Sequence, residues 1–199
     1  MRVKLILMVI FLAVAVPAYP QAKPAAVGSR TQFTIGAGFS DYYSDWNGRY
    51  DGTTMWFDWN PSLGPSLFHG LGLEIEARDL SFGKTGSVPH LRLDTVSGGA
   101  IYTIRHYRSI HPYAKFLMGY ASFDFQPIHT PQGVYSHDSR TVYTPGGGVE
   151  YRLGRNVWVR GDYEYQFFVD FSHHHAMNPN GFTIGVSYDL AHLHRAHRR

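Results

Sequence analysis

Along most of the chain, apolar and polar residues alternate with a period of two. An extended strand separates such sets onto two faces, whereas a helix mixes them. From Val157 to Phe167 the odd positions are Val157, Val159, Gly161, Tyr163, Tyr165 and Phe167, and the even positions are Trp158, Arg160, Asp162, Glu164 and Gln166. The same alternation recurs with apolar sets Phe33/Ile35/Ala37/Phe39, Met55/Phe57/Trp59, Leu71/Leu73/Ile75/Ala77, Val96/Gly98/Ala100/Tyr102/Ile104, Ala114/Phe116/Met118/Tyr120, Tyr143/Pro145/Gly147/Val149/Tyr151 and Phe182/Ile184/Val186/Tyr188/Leu190. The pattern predicts eight strands and an all-β fold. Leu91 and Leu93 lie on the opposite phase from Val96, which predicts a bulge near Asp94 and Thr95. Pro145 predicts a bulge or a missing ladder bond within its strand.

The connections alternate in length. Residues 41–52, 80–90, 125–140 and 168–180 read as long loops, while residues 107–110 and 154–156 read as short turns. Long loops on one side and short turns on the other describe an eight-stranded antiparallel up-and-down transmembrane β-barrel, with long loops outside and both termini periplasmic. A soluble barrel would carry the same alternation with its apolar face inward. Three features favour the membrane. The apolar face holds no charge in any strand. The polar face holds Asp58, Glu74, Glu76, Glu150, Asp162, Glu164 and Asp189 with Arg78, Arg105, Lys115, Arg152 and Arg160, among glycines that leave room for long side chains. Aromatic residues gather near strand ends, as at Phe39/Tyr42/Tyr43, Trp56/Trp59, Tyr163/Tyr165/Phe167 and Tyr188, where interfacial girdles are expected.

Composition narrows the classes. Aromatic residues make up 16% and charged residues only 17% of the 199, so disorder is excluded, and the absence of cysteine removes disulfides and thiolate chemistry. Five of the 18 bases (Arg2, Lys4, Arg195, Arg198 and Arg199) lie at the ends, which leaves 13 against 15 acids in the body. No basic nucleic-acid face is indicated. Two bases, an apolar run of 12 residues (5–16) and small residues at 16–18 predict a signal peptide over 1–18, with 22 as the alternative end. A flexible lead over 19–30, the barrel over 31–190 and a polar tail over 191–199 complete the expected organisation.

Three stretches carry a family resemblance. GGGVEYRLGRNVWVRGDYEYQFF (146–168) resembles the penultimate hairpin of OmpA/OmpX-type bacterial outer-membrane β-barrel proteins. GFTIGVSYDL (181–190) resembles their closing strand, and PYAKFLMGY (112–120) is similar to their central strand. The resemblance implies the cell outer membrane as location, with outer-membrane lipid and the outer-membrane insertion machinery as partners. The chain departs from the family where its last strand ends at Asp189-Leu190 rather than on a terminal aromatic residue.

Eight strands enclose a space just wide enough for side chains. A barrel-interior charge network of Glu74, Glu76, Arg78, Lys115, Glu150, Arg152, Arg160, Asp162 and Glu164 is therefore expected to plug the interior rather than line a pore. The His173-His174-His175 run reads as a solvated loop, since consecutive residues of an extended chain point to opposite sides. His111, His129 and His137 read as scattered solvated histidines. The tail with His192, His194, Arg195, His197, Arg198 and Arg199 reads as a polar extension. No cofactor, metal or nucleic-acid partner is expected. The resulting expectation is a non-enzymatic outer-membrane barrel with a structural role or a loop-mediated binding role whose ligand the sequence does not name. The alternatives are a small diffusion pore and an outer-membrane lipid A-modifying enzyme, a deacylase or acyltransferase. A deacylase needs a Ser activated by a His that an acid orients. Ser172, His173, His174 and Asp170 are the pieces the sequence suggests for it.

Overall fold

The computed structural model describes residues 32–44, 48–61, 68–82, 91–105, 109–130, 133–168 and 178–190, with side chains of 125–130 and 133–136 excepted. The expected signal peptide 1–18, the expected lead 19–30, the His173-His174-His175 run with Asp170 and Ser172, and the expected tail 191–199 lie outside the described residues. The strands are β1 (Gln32–Ser44), β2 (Gly48–Asn60), β3 (Leu71–Phe82), β4 (Leu91–Thr103), β5 (Ile110–Thr130), β6 (Gly133–Arg152), β7 (Val157–Tyr165), β8 (Phe167–Phe168) and β9 (Asn180–Asp189). β7 and β8 form one stave, interrupted at the buried Gln166, so nine segments make eight staves. Each stave pairs antiparallel with its neighbours in the chain, and β1 pairs with β9 from Thr34↔Asp189 to Tyr43↔Asn180, which closes the sheet. Closure leaves no sheet edge along the barrel wall, as a backbone in lipid requires.

Which face points out is settled by exposure. Ile184 is 67% exposed, Val96 61% and Ile75 59%, whereas Glu74 and Glu164 are fully buried. The belt of Phe33, Ile35, Phe57, Leu73, Phe116, Met118, Val186 and their neighbours is turned outward. Water would penalise such a continuous apolar surface, and lipid does not.

The staves run further than a bilayer needs. A spanning strand takes about 9–11 residues, yet β1, β2 and β4 have 13 each and β5 and β6 have 21 and 20. Most of residues 41–52 is strand, as are 80–82 and the described residues of 125–140. In these outer parts the two faces exchange character. Tyr42, Tyr50, Leu80, Leu91, Leu93, Ala121, Phe123, Val142 and Phe168 turn inward and form a buried apolar cluster. Outside, Arg49 Nη2 lies 2.8 Å from Asp41 Oδ2, and Arg92 Nη2 lies 2.9 Å from Asp79 Oδ2.

This exchange corrects the expected bulge near Asp94 and Thr95. The ladder runs unbroken through Leu80↔Leu93, Asp79↔Asp94, Arg78↔Thr95 and Ala77↔Val96. Leu91 and Leu93 point inward and Val96 outward in one uninterrupted alternation; the medium outside the strand changes, not the register. The irregularity falls elsewhere, in β5 between Asp124 and Ile128. At Pro145, β5 keeps its register through Phe116↔Pro145, while the pairing of β6 with the β7–β8 stave skips Thr144 and Pro145. Two girdle assignments are also corrected: Tyr42 and Trp56 lie inside the barrel, 0% and 3% exposed. The indole of Trp56 occupies the space where a Cβ on Gly36 would stand, and a Cβ on Gly185 would run into the Ala37 carbonyl oxygen as well as that indole, so both positions need glycine.

The orientation makes a paired prediction. Ile75→Arg, in the belt, should lower unfolding stability in phospholipid vesicles by about 2–4 kcal/mol. Ser81→Arg, on the same face but beside the outer aspartates, should change it by less than about 0.5 kcal/mol. Urea titration followed by tryptophan fluorescence reads both.

Candidate functional site

Among the described residues, two places gather side chains with chemical potential: the ionic interior and the outer wall of the β5–β6 hairpin. The charged groups of the interior, with Tyr113, come from alternate positions of four strands. Asp58 comes from β2, Glu74, Glu76 and Arg78 from β3, Tyr113 and Lys115 from β5, and Arg160, Asp162 and Glu164 from β7. Lys115 stands at the centre. Its Nζ lies 2.8 Å from Glu74 Oε1, 2.8 Å from Glu76 Oε2 and 3.3 Å from Asp162 Oδ2, and it also pairs with Glu164.

Two arginines extend the cluster. Arg78 Nη2 reaches Glu76 at 2.7 Å and Glu164 at 2.6 Å, while its Nε donates to Thr54 Oγ1 at 2.9 Å. Arg160 Nη2 reaches Glu74 at 2.7 Å, its Nη1 reaches Asp58 at 3.3 Å and its Nε reaches Asp162 at 3.1 Å. The phenols complete the set: Tyr42, from β1, donates to Glu164 at 3.0 Å and Tyr113 donates to Asp162 at 2.8 Å. The Arg78 guanidinium lies 4.5 Å from the Tyr42 ring centroid, and that of Arg160 lies 4.8 Å from Trp56 and 4.6 Å from Tyr113. Cations and rings thus share the narrow lumen in face-to-face contact.

Three cations serve five carboxylates here, and the two phenolic donors carry part of the excess negative charge. Above the ions, Ser40 Oγ joins Thr54 Oγ1 at 2.5 Å and Thr183 Oγ1 at 2.8 Å. This hydroxyl tier connects the ionic layer to the apolar cluster near the outer end.

Two residues of the expected network stand apart. Arg152 ends β6 and is exposed; its Nε donates to the Gly154 carbonyl at 2.9 Å and its Nη2 to the Arg155 carbonyl at 3.0 Å. At the rim the turn offers carbonyl acceptors that strand residues do not, so the guanidinium folds over the turn instead of entering the lumen. Glu150 is half-buried nearer the same end, where it lines a small polar vestibule with Gln32, Asp58, Arg105 and His111. The His111 ring lies 4.5 Å from that of Trp158.

The second place lies on the outside of the barrel. His137 and Ser139 are two residues apart on β6 and therefore share its outward face, and Asp124 is the register partner of His137 on β5. Asp124 Oδ1 lies 2.7 Å from His137 Nδ1, and Ser139 Oγ lies 3.1 Å from His137 Nε2. His137 is thus not a solitary histidine. The signal was present in the sequence as His137-Asp138-Ser139, but it sits in the stretch 125–140 that reads as loop. Only strand geometry puts the first and third residues on one side. His129 has no described side chain.

The interior predicts an asymmetry between ion pairs. Lys115→Met withdraws the cation shared by four carboxylates and should cost about 3–5 kcal/mol. Arg92→Met removes pairs whose arginine is 55% exposed to screening solvent and should leave the unfolding midpoint close to that of the wild type. Denaturant unfolding in micelles distinguishes the two.

Comparison with known proteins agrees with this architecture. No curated protein sequence matches the chain. The solved structure of Neisserial surface protein A superposes with a TM-score of 0.54 at 16% identity, covering 79% of this chain and 96% of that one. The attachment invasion locus protein Ail of Yersinia pestis, crystallised with the heparin analogue sucrose octasulfate, gives 0.53 at 16% identity over 80% and 97%. A major outer membrane protein of Thermus thermophilus gives 0.53 at 15% over 80% and 98%. These likenesses are of fold. The family described as Outer membrane protein beta-barrel domain matches residues 6–189. With its lipid-facing belt and closed eight-stave wall, the chain belongs to that family and is a protein of the cell outer membrane.

Proposed function

We propose that the protein is a closed, non-conducting barrel that contributes to the envelope structurally and presents its outer end for binding. One observation carries this reading: the lumen is filled in successive tiers. Lys115, Arg78 and Arg160 lock the carboxylates across the middle. Beyond the hydroxyl tier, Tyr42, Tyr50, Leu80, Leu93, Phe123 and Val142 are all 0–1% exposed and close the lumen with hydrocarbon. A water-filled path needs a continuous polar surface, and this cluster interrupts it. In planar bilayers the purified barrel should give no conductance steps at high protein load. Stable unitary steps would support a diffusion pore instead.

The outer wall indicates what kind of ligand suits it. Among the described residues it shows Asp41, Asp51, Asp79, Asp94 and Asp124 against Arg49 and Arg92. This acidic excess does not suit a sulfated polyanion such as the one crystallised with Ail. A cationic or hydrogen-bonding partner fits it better. Outer-membrane lipid and the outer-membrane insertion machinery are the partners that membrane residence itself calls for.

The terminal segments belong to the same proposal: residues 1–18 serve as a signal peptide, 19–30 as a lead and 191–199 as a polar tail. N-terminal sequencing of the protein from isolated outer membranes should begin at Tyr19, or at Lys23 for the later cleavage. A sequence beginning at Met1 would refute the cleavage.

A further inference from the structure

We infer that Asp124, His137 and Ser139 form a hydrolytic triad on the outer wall of the barrel, placed to cleave acyl esters of lipids in the outer leaflet. The inference goes beyond the closed-barrel reading and does not depend on it, since none of the three residues faces the lumen.

The geometry supplies each role. Asp124 Oδ1 lies 2.7 Å from His137 Nδ1, and an ionised carboxylate accepts only, so the imidazole proton resides on Nδ1. Nε2 is then the acceptor, and Ser139 Oγ stands 3.1 Å from it. A nucleophile hydrogen-bonded to a base that a third group orients is the arrangement that activates a serine hydroxyl. Paired strands carry all three. His137 and Ser139 occupy alternate positions of one strand, and the pairing Asp124↔His137 fixes the carboxylate across the ladder, immediately before the irregularity in β5. Arg92, the β4 partner of Asp124 in register, is engaged by Asp79 at 2.9 Å and Asp94 at 3.2 Å, so it does not draw the carboxylate from the imidazole.

The position selects the substrate. Through the register, Ser139 belongs to the row Ser139–Ser122–Asp94–Asp79. The next row toward the membrane is Thr141–Tyr120–Val96–Ala77–Met55, where Tyr120 is 73% exposed and Val96 61%. Successive same-face residues on a strand are about 6.6 Å apart. The serine thus stands one step above the start of the apolar belt, at the level where the ester carbonyls of a lipid meet its chains. An acyl chain would lie along Tyr120, Met118 and Val96 with its carbonyl raised to Ser139. A peptide substrate would have no use for that belt.

In the reaction, Ser139 Oγ bonds to the acyl carbon while its proton passes to His137 Nε2. The C–O bond to the lipid alcohol breaks, and His137 gives that proton to the leaving oxygen. Water then attacks the acyl-serine and yields its proton to Nε2. The acid leaves, and the proton returns to Ser139 Oγ. Asp124 makes no bond to substrate; it is a positioning residue that stabilises the imidazolium.

The test uses the refolded full-length barrel in detergent micelles, with altered migration of unheated samples on a gel confirming that each variant is folded. The wild type should release fatty acid from mixed micelles of a glycerophospholipid, of lipid A, or of both, and which one responds identifies the natural ester. A fluorophosphonate probe should label Ser139, as read by peptide mass spectrometry. Ser139→Ala and His137→Ala should each lower release at least about 100-fold. Asp124→Asn should lower it at least about tenfold, with Asp124→Glu recovering part of the loss, a recovery that a merely structural contact would not produce. The inference is overturned if neither lipid is hydrolysed and Ser139 is unlabelled, or if release persists unchanged in Ser139→Ala.

Discussion

A strand offers its side chains alternately to two sides, and in this barrel both sides change character at one height. Below that height the outside is hydrocarbon and the inside ionic. Above it the outside carries Asp41, Arg49, Asp79 and Arg92, and the inside is the cluster around Tyr42, Leu93 and Phe123. The two halves are held by different forces. Where water surrounds the wall, burying apolar side chains in the lumen is favourable. Where lipid surrounds it, a leucine gains little by moving from acyl chains to the lumen. Cohesion across the lipid-embedded lumen must come from polar contacts, and the Lys115 cluster supplies them.

That division explains why fold and interior were unequally legible. The belt could be read because Ile35, Phe57, Ile75, Val96 and Ile184 are apolar at strict intervals of two along their strands. The outer ends could not be, because an alternation that inverts looks like a loop or a bulge to a reading anchored on apolar residues outside. Leu91 and Leu93 show this well: their phase differs from that of Val96 only because they serve the opposite side of the same continuous strand. Tyr42 and Trp56 depart from the expected girdle for a related reason. An aromatic residue near a strand end suits an interfacial girdle, yet here each ring packs against a buried guanidinium.

Within the interior, alternation named the residues but not their partners. Glu74, Glu76 and Arg78 share a face by spacing alone. That Lys115 draws on two carboxylates of β3 and two of β7 depends on barrel closure, which local sequence does not encode. Arg152 shows the converse. It has the right phase, but it stands at the last residue of β6, where free carbonyls of the turn compete for its guanidinium. Phase determines direction only while a wall stands on both sides of the residue.

The triad was hidden for the same reason as the outer strands. His137 and Ser139 gain a common face only if residues 133–140 are strand, and Asp124 joins them only through the register of β5 with β6. The height at which the two faces exchange character is also the height at which such a group would meet the lipid esters of the outer leaflet. Lower, an ionised aspartate on the wall would stand in hydrocarbon; higher, the serine would meet only water. Asp124, His137 and Ser139 occupy the first two polar rows above the belt, where a carboxylate keeps its hydration and a hydroxyl still reaches the carbonyl of an anchored chain.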